Sequence, residues 1–290
     1  MNRTTPVTVV IPAYQAGAYL RVTLESLQQQ TAVPEAVVVV DDGSTDDTAA
    51  IARQFGVHLV QQAQKGPGAA RNRGLELATT EFVAFLDADD WFAPDKLERA
   101  VAWLDQSEAA CLATDAWIVR NDRLEGRKNQ KRVVPTVLTM EHLLQDNPVV
   151  CSTVVARTAA VRAVGGFDEH PDLVATEDFD LWLRMSQREP LAYVNEPLTF
   201  YRVHAGSLSA NTRFVRGLER ILEQVAKQHE GEAHFQNLVR HRLADVRLDL
   251  AWDLLAAGRK AEARAMIREA SKLACTWKGL RMKLRSLLPT

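Results

Sequence analysis

Three aspartates end an apolar run at residues 82–90. The run reads Phe-Val-Ala-Phe-Leu, and Asp87, Asp89 and Asp90 follow it directly. Two carboxylates about 4 Å apart repel by roughly 4 kcal/mol at an effective dielectric of about 20, so the cluster needs protons, basic partners or a metal ion. Oxygen ligands suit Mg²⁺ or Mn²⁺, which commonly bridge a nucleotide diphosphate. The alternative is an acidic turn that begins the next helix.

Two earlier apolar runs also stop at residues that could bind a ligand. Residues 7–11 are a β-branched run that ends at Pro12-Ala13-Tyr14, and residues 36–40 are an apolar run that ends at Asp41-Asp42. Such runs predict buried strands. The carboxyl ends of parallel strands meet at one edge of an α/β sheet, where ligands bind. We therefore interpret this edge, with the aspartates at 87–90, as a functional site.

The elements that must position these strand ends alternate between strand and helix. Helical spacing predicts the first helix, Ser44-x-x-Asp47 resembles a capping box that opens the second, and Gly66-Pro67-Gly68 leads into the third. The predicted helices cover residues 18–30, 44–55 and 69–78, with a short third strand at residues 57–60. This alternation predicts a parallel, right-handed α/β sheet with flanking helices.

The loop before the third helix carries positive charge. The sequence Gly-Pro-Gly-Ala-Ala-Arg at residues 66–71 invites a dinucleotide-binding interpretation, but it follows the third strand and ends in Arg, so the motif is a poor match. Lys65, Arg71 and Arg73 still place cations near the acidic edge. The alternative for each is a solvated position at the start of the helix.

Residues 111–132 predict a strand followed by a basic segment. Residues 111–119 could form the strand, and residues 123–132 carry several Lys and Arg among Asn, Gln and Gly. This composition is typical of a mobile surface loop. It could be a solvated loop or a lid over an anionic ligand.

Two later segments carry side chains that could act in catalysis. Thr176 is a predicted helix N-cap, which places Glu177 and Asp178 in the first turn, where the helix dipole favours ionised carboxylates. Such a carboxylate could be a general base or only a cap. His204 follows a short predicted strand at residues 198–201 and could give a neutral imidazole to a metal or a donor to phosphate.

The composition of the chain excludes several classes of protein. Its 290 residues carry a net charge of −2, which gives no reason to expect nucleic acid as a partner. The three cysteines form no Cys-x-x-Cys pair, so neither a disulfide framework nor a zinc knuckle is expected. No apolar run has the length of a signal peptide or a membrane span. These features predict a cytoplasmic protein.

The last quarter of the chain has a helical pattern. Residues 251–273, with Gly258 between two helical segments, resemble a single tetratricopeptide-type helix pair. Residues 272–288 combine basic side chains with leucines and a tryptophan at helical spacing. This pattern predicts a basic amphipathic helix, which could lie on the inner face of an anionic membrane or pack on the core.

Taken in order, the motifs resemble those of the inverting family 2 glycosyltransferases with the GT-A fold. Each motif alone is weak, but the ordered set is specific. The likeness extends over about residues 6–209. The matching segments are residues 9–14, 40–46, 68–74, 87–90, 165–168, 177–178 and 201–204.

The resemblance implies a GT-A catalytic domain over residues 1–211, with a helical extension over residues 212–290. It also implies a nucleotide-sugar donor, with a UDP-sugar favoured, bound together with Mn²⁺ or Mg²⁺. The acceptor would be a saccharide or a lipid-linked saccharide in cell-surface polysaccharide or glycolipid assembly. The implied donor-binding residues are Pro12, Ala13, Tyr14, Asp42, Lys65, Arg71, Asp87 and Ala88.

The resemblance also implies roles for individual side chains. Asp42 would accept a hydrogen bond from the base, and Asp87 or its neighbour would approach the ribose. Asp89 and His204 would bind the metal, although the Asp-Ala-Asp-Asp cluster leaves Asp90 as a second possible ligand. Asp178 matches the position of the catalytic base, with Glu177 in support. The reaction would be a single displacement without a covalent intermediate.

Two other functions compete with this interpretation. A haloacid-dehalogenase-like phosphohydrolase would use Asp87 as nucleophile and Asp89 as acid, but that pattern usually opens a chain and has Thr or Val where Trp91 stands. A sugar-nucleotide-binding module without catalysis would keep the fold and lose the chemistry. Metal-dependent hydrolysis of a donor would separate the enzyme from the module.

Overall fold

The computed structural model describes residues 3–204, 212–274 and 282. These residues divide into two compact units. The first contains residues 3–140, 148–171 and 177–204, and the second contains residues 141–147, 172–176, 212–274 and 282. No helix among the described residues is long and apolar enough to cross a membrane.

The first unit is built on one mixed β-sheet. Within the described residues its strands are β1 (Arg3–Ala13), β2 (Ala32–Asp41), β3 (His58–Gln61), β4 (Phe82–Phe85), β5 (Trp91–Phe92), β6 (Cys111–Arg120), β7 (Arg123–Arg127), β8 (Val137–Leu138), β9 (Val155–Arg157) and β10 (Leu191–Val203). They lie in the order β3-β2-β1-β4-β9-β6-β10-β5, with β7 paired to β6 and β8 paired to β10.

Helices flank this sheet and form the second unit. Along the described chain they are α1 (Leu20–Gln28), α2 (Thr48–Gln54), α3 (Pro67–Leu77), α4 (Lys96–Leu104), α5 (Met140–Gln145), α6 (Thr158–Ala163), α7 (Glu177–Ser186), α8 (Thr212–Gln228), α9 (Ala233–Ala256) and α10 (Lys260–Leu273). Short 3₁₀ turns at Cys151–Thr153 and Pro171–Leu173 complete the secondary structure.

The prediction of an all-parallel sheet is correct for one half of the sheet and wrong for the other. β3, β2, β1 and β4 are parallel neighbours, joined through helices as the sequence alternation predicted. β9 then runs antiparallel to both β4 and β6.

The segment at residues 123–132 is likewise not only a loop. Since two residues join β6 to β7, the connection is a hairpin, and a hairpin makes the strands antiparallel.

The turn of that hairpin explains why residues 123–127 form a strand. Asn121 and Asp122 have φ values of 49° and 56°, the left-handed region that a two-residue type I′ turn requires. Asn and Asp adopt this conformation more readily than other residues that carry a side chain. The basic composition of residues 123–132 indicated an exposed segment, but it did not indicate the turn at Asn121 and Asp122.

The capping-box prediction at Ser44 and Asp47 was wrong, since α2 begins at Thr48 and no side chain of Asp47 caps it. The hydroxyl of Ser44 instead accepts a hydrogen bond from the Gln15 backbone N–H at 3.0 Å. Asp46 accepts one from the Gly17 backbone N–H at 2.8 Å. These side chains therefore fix the loop after β1. Asp46 also accepts a hydrogen bond from the backbone N–H of Thr48, the first residue of α2, at 3.1 Å.

Helix α3 lies unusually close to the central strand. A Cβ atom added at Gly74 would meet Cγ1 of Val10 at 2.2 Å, and Val10 is fully buried. A glycine at this position lets the helix backbone approach the sheet, which brings Arg71 to the carboxyl edge of the strands.

The second unit contains the predicted helix pair. α9 and α10 are antiparallel neighbours joined at Gly258, whose φ of +76° suits a helix C-terminus. Their shared core contains Ala244, Leu248, Ala251, Leu254, Ala263, Ile267, Ala270 and Met282. Most of the predicted basic helix at 272–288 lies outside the described residues.

Candidate active site

Asp42 follows β2 and holds the loop that leads to α3. It is 3% exposed, and Oδ1 accepts hydrogen bonds from the Gln62 side-chain amide at 2.8 Å and the Lys65 backbone N–H at 2.9 Å. Oδ2 accepts from the Gly66 backbone N–H at 2.7 Å. The Lys65 side chain itself is exposed. Asp42 thus fixes the loop at residues 62–66, while the Lys65 side chain is at the surface.

Tyr14 lies on the loop that follows β1. Its side chain is 49% exposed, whereas Ala13 is buried and Pro12 is partly buried. The next residue, Gln15, has φ of +50°, and its side chain contacts the hydroxyl and backbone N–H of Thr45. An exposed aromatic ring on a tethered loop is a suitable surface for a planar base.

Arg71 joins the end of β4 to the start of α7. One guanidinium nitrogen is 2.5 Å from Asp87 Oδ1, and the other is 2.5 Å from Glu177 Oε1. The Arg71 side chain is only 5% exposed, and its guanidinium carbon lies 5.3 Å from the centre of the Phe167 ring. This cation therefore holds two of the predicted site carboxylates in a fixed arrangement.

Asp178 is placed next to that arrangement, in the first turn of α7. Its Oδ1 accepts a hydrogen bond from the Phe179 backbone N–H at 2.7 Å. Desolvation, and then the negative charge of Glu177, raise the pKa of Asp178 to about 7, although the charge of Arg71 acts in the opposite direction. A carboxylate with a pKa near neutrality can take a proton from a hydroxyl at physiological pH.

The two aspartates after Ala88 have different surroundings. Asp90 is 1% exposed, and its carboxylate accepts from the Ser152 hydroxyl at 2.5 Å and the Arg202 backbone N–H at 2.8 Å. Burial, followed by the charges of Asp89 and Asp87, raises the pKa of Asp90 well above its usual value. The Asp90 carboxylate is therefore buried and held by hydrogen bonds within the protein.

Asp89 instead faces His204. Its side chain is 29% exposed, and its Oδ2 lies 3.0 Å from Nε2 of His204. Burial and the charge of Asp87 raise the pKa of Asp89 above its usual value. Ala88, between the aspartates, is 7% exposed, and its carbonyl accepts a hydrogen bond from Thr23.

The Asp89 and His204 side chains fit a divalent cation that is shared with a ligand. Among the described residues, no group of three or more His, Cys, Asp or Glu side chains could hold a metal ion. A site for Mg²⁺ or Mn²⁺ can nevertheless use one or two protein ligands when substrate phosphates supply the others. An oxygen donor and an imidazole nitrogen 3.0 Å apart, beside an excess of negative charge, match this arrangement.

Two residues that organise this edge, Ser152 and Tyr19, were not predicted from the sequence. Ser152, on the 3₁₀ turn, bonds to Asp90 and also accepts from the Asp87 backbone N–H at 3.1 Å. The Tyr19 ring stacks on the His204 ring with centres 5.1 Å apart. Arg202 was part of a matching motif, but its contacts could not be read from that motif. No spacing signal connects Ser152 or Tyr19 to the aspartates.

Comparison with known proteins identifies the fold and the class of chemistry. The family model for glycosyl transferase family 2 matches residues 8–164, which is more than half of the chain. The chain belongs to glycosyltransferase family 2. The resemblance found in the motifs is thereby confirmed, and the GT-A fold and the assignment as a glycosyltransferase are established with it.

Individual relatives of this family 2 glycosyltransferase come from bacteria. TuaG of Bacillus subtilis, a glycosyltransferase named for teichuronic acid biosynthesis, is 31% identical over 213 residues, which cover 71% of this chain and 82% of TuaG. WfaP of Escherichia coli, named as a UDP-Glc:alpha-D-GlcNAc-diphosphoundecaprenol beta-1,3-glucosyltransferase, is 28% identical over 210 residues, covering 71% and 80%.

A solved structure shows the same architecture. Residues 1–349 of S. aureus TarS, crystallised in complex with UDP, superimpose with a TM-score of 0.63 at 25% sequence identity. The match covers 82% of this chain and 70% of that TarS chain. The relatives thus include enzymes named for teichuronic acid biosynthesis and for transfer to a diphosphoundecaprenol-linked sugar.

Proposed function

We propose that this glycosyltransferase moves a sugar from a nucleotide-sugar donor to a hydroxyl acceptor with inversion at the anomeric carbon, in a metal-dependent reaction. The observation that carries the proposal is that two carboxylates of this site, those of Asp178 and Asp89, have different surroundings. Asp178 has a pKa near 7 and suits proton transfer, whereas Asp89 faces an imidazole and suits cation binding. Separated roles for carboxylates are typical of an acid–base site.

A UDP-sugar is the favoured donor, and a lipid-linked saccharide is the favoured acceptor. TarS is a structural relative in complex with UDP, and WfaP is named for a UDP-glucose donor and a diphosphoundecaprenol-linked acceptor. The loop around Tyr14, with Asp42 beneath the neighbouring loop, would receive the base. An acceptor held in a lipid would require the enzyme to work at a membrane surface.

In the proposed reaction, Asp178 removes the proton from the acceptor hydroxyl as the oxygen attacks the anomeric carbon. Bound between Asp89, His204 and the donor diphosphate, a divalent cation would supply charge neutralisation to the leaving group. The hydrogen bond between Ser152 and Asp90 keeps the segment that carries Asp89 in place. Because the base acts directly on the acceptor, no covalent intermediate with the protein is needed.

Arg71 is assigned a supporting role in this scheme. Both of its terminal nitrogens are bound to carboxylates, and its side chain is almost fully buried, so it is poorly placed to approach a diphosphate. It instead fixes Asp87 on the donor side and Glu177 beside the base. We propose that this bridge aligns the two halves of the site.

The domain assignment follows from the same proposal. Residues 1–211 would form the catalytic domain and residues 212–290 the helical extension. Membership of family 2 argues against the phosphohydrolase alternative, in which Asp87 would have to act as a nucleophile. One Asp87 carboxylate oxygen is also held by Arg71 at 2.5 Å, and this contact lowers the nucleophilicity of that oxygen.

The proposal is tested by incubating the protein with a panel of UDP-, GDP- and dTDP-sugars, with and without Mn²⁺. Wild type should release one nucleoside diphosphate slowly in a metal-dependent reaction, and Asp89→Ala should lose this release. Asp105→Asn, which changes an exposed carboxylate at the end of α4, is the matched control and should behave as wild type. Binding without release would favour a non-catalytic module, and hydrolysis of a phosphomonoester would favour a phosphohydrolase.

A further inference from the structure

The Arg202 side chain lies against two aromatic rings beside the Asp89–His204 pair. Its guanidinium carbon is 5.2 Å from the centre of the Tyr19 ring and 4.8 Å from the centre of the Trp91 ring. The side chain is only 13% exposed. A planar guanidinium can stack on aromatic faces while its edges donate hydrogen bonds, which an ammonium group cannot reproduce.

Arg202 also bonds to both aspartates that end the acidic cluster. Its Nε donates to the backbone carbonyl of Asp89 at 3.1 Å, and its backbone N–H donates to Asp90 Oδ1 at 2.8 Å. One residue on β10 therefore fixes the backbone of Asp89 and the carboxylate of Asp90. The direction of the Asp89 side chain depends on that backbone.

The same residue is linked to His204, the other half of the pair. His204 follows Arg202 by two positions, and its ring stacks on Tyr19 with an interplanar angle of 21°. Tyr19 thus contacts both the Arg202 guanidinium and the His204 imidazole. A change in the position of the guanidinium would disturb the support of both proposed metal ligands.

The hairpin turn between β6 and β7 supplies the remaining contact. Arg202 Nη1 lies 2.5 Å from Oδ1 of Asp122, whose side chain is 84% exposed. Because the Asp122 carboxylate is largely in solvent, its attraction to Arg202 contributes little to the free energy of unfolding. The contact can therefore be removed without unfolding the protein, and it orients the outer edge of the guanidinium.

We propose that Arg202 is a positioning residue that holds Asp89 and His204 in the geometry needed for a divalent cation, with Asp122 orienting its guanidinium. This inference rests on the proposed function, because it concerns the same site. It assigns to Arg202 no contact with the reacting atoms. Side chains that orient metal ligands typically change metal affinity by about 10- to 100-fold when they are replaced.

The test is the affinity for UDP, measured by isothermal titration calorimetry with and without Mn²⁺ on wild type and Arg202→Lys. Wild type should bind UDP more tightly with Mn²⁺. Arg202→Lys keeps the charge and should lose about tenfold or more of this metal-dependent gain, while its affinity for UDP without metal stays unchanged. Asp122→Asn, which changes an exposed side chain, should lose about two- to threefold without a change in melting temperature.

Arg157→Lys is the matched control, because Arg157 makes the same kinds of contact elsewhere in the sheet. Its guanidinium carbon is 5.3 Å from the Phe82 ring, and it donates to the backbone carbonyls of Leu104 and Ser107. The variant should be less stable to heat and should keep the full metal-dependent gain.

Three outcomes are informative. If Arg202→Lys and Asp122→Asn both keep the wild-type gain, the positioning role is refuted. If Arg157→Lys loses as much as Arg202→Lys, the effect is general destabilisation, and the positioning role is again refuted. If wild type itself gains nothing from Mn²⁺, the metal dependence of the proposed function fails, which is distinct from either result. Should Arg202→Lys fail to fold, Asp122→Asn decides.

Discussion

Replacement of Asp178 by Asn should slow transfer strongly and stabilise the protein at the same time. The pKa of Asp178 is raised from 3.8 to about 7 by desolvation and then by the charge of Glu177. In the unfolded chain the group ionises near pH 4, while in the folded chain it stays protonated until about pH 7. Stability from this group is therefore complete below pH 4 and decreases as the pH rises towards 7.

The size of the effect follows from the shift in pKa. About three pKa units at 1.36 kcal/mol each correspond to roughly 4 kcal/mol of free energy of unfolding lost by wild type above pH 7. Asn carries no charge, and its Oδ1 can still accept the hydrogen bond from Phe179. Asp178→Asn should therefore melt higher than wild type by roughly 5 °C or more at pH 8. The difference should vanish near pH 4.

The same group sets the dependence of activity on pH. The turnover of wild type should fall about tenfold per pH unit below pH 7, because only ionised Asp178 can accept the proton. Asp178→Asn should lose roughly 10²- to 10⁴-fold in turnover. Melting curves from pH 4 to 9, together with initial rates of nucleoside diphosphate release, measure both effects. Asp105→Asn should match wild type in each.

A stability difference that does not depend on pH would refute this reasoning. So would an Asp178→Asn protein that is less stable than wild type at pH 8, because the ionised carboxylate would then be favourable in the fold. Full wild-type turnover at pH 5.5 would show that the base has an ordinary carboxyl pKa, and another residue would have to take the role.

The remaining predictions concern the Arg71 bridge between Asp87 and Glu177, the buried amine of Lys96, and the close approach of α3 to β1 at Gly74. Arg71→Met should move the midpoint of the pH–activity profile upward from about 7, because the charge of Arg71 lowers the pKa of Asp178; an unchanged midpoint would show that the Arg71 charge does not act on the base. Lys96 is fully buried, and burial lowers its pKa from 10.5 to about 7, so wild type loses stability as the pH falls from 10 to 7. The melting temperature of Lys96→Met minus that of wild type should therefore increase as the pH falls from 10 to 7. A difference that stays constant with pH would be evidence against a lowered pKa of Lys96. Gly74→Ala should cost roughly 1–3 kcal/mol of unfolding free energy in denaturant titrations, since the new Cβ meets Val10; a neutral result would show that α3 can move away.

The sequence predicted the parallel half of the fold because that half depends on short-range patterns. Continuous apolar runs at residues 36–40 and 82–86 have few alternatives to a buried strand, and the helices between the strands follow from periodicity. The polar residues that follow these runs consequently met at one edge, as predicted. In the structure the strands extend beyond the runs, to Ala32–Asp41 for β2 and Arg3–Ala13 for β1.

The rest of the fold depends on contacts that no local pattern records. β10 extends over Leu191–Val203, although only residues 198–201 were predicted, because Asn195, Glu196 and Pro197 interrupt the apolar pattern. The register of β10 with β6 shifts on both sides of Pro197, so the strand continues through an irregularity that no local pattern predicts. The Thr176 hydroxyl donates to the Leu173 carbonyl, a contact made with the preceding 3₁₀ turn. Arg71 and Glu177 are separated by 106 positions, so their pairing is a property of the fold alone.

The choice between Asp89 and Asp90 illustrates the same limit at the site. The sequence places both carboxylates after the same strand with the same charge. The structure separates them, because Asp90 is buried against Ser152 and the Arg202 backbone, whereas Asp89 faces His204. This difference supports Asp89 as the proposed metal ligand.

The most direct test of the central claim is the anomeric configuration of the product, read by proton NMR from a donor with an α-linked sugar. A single displacement driven by Asp178 predicts a β-configured product at the first observable time, both in transfer and in slow hydrolysis of the donor. An α-configured initial product would contradict the account, because retention requires either a second displacement or attack from the face of the leaving group.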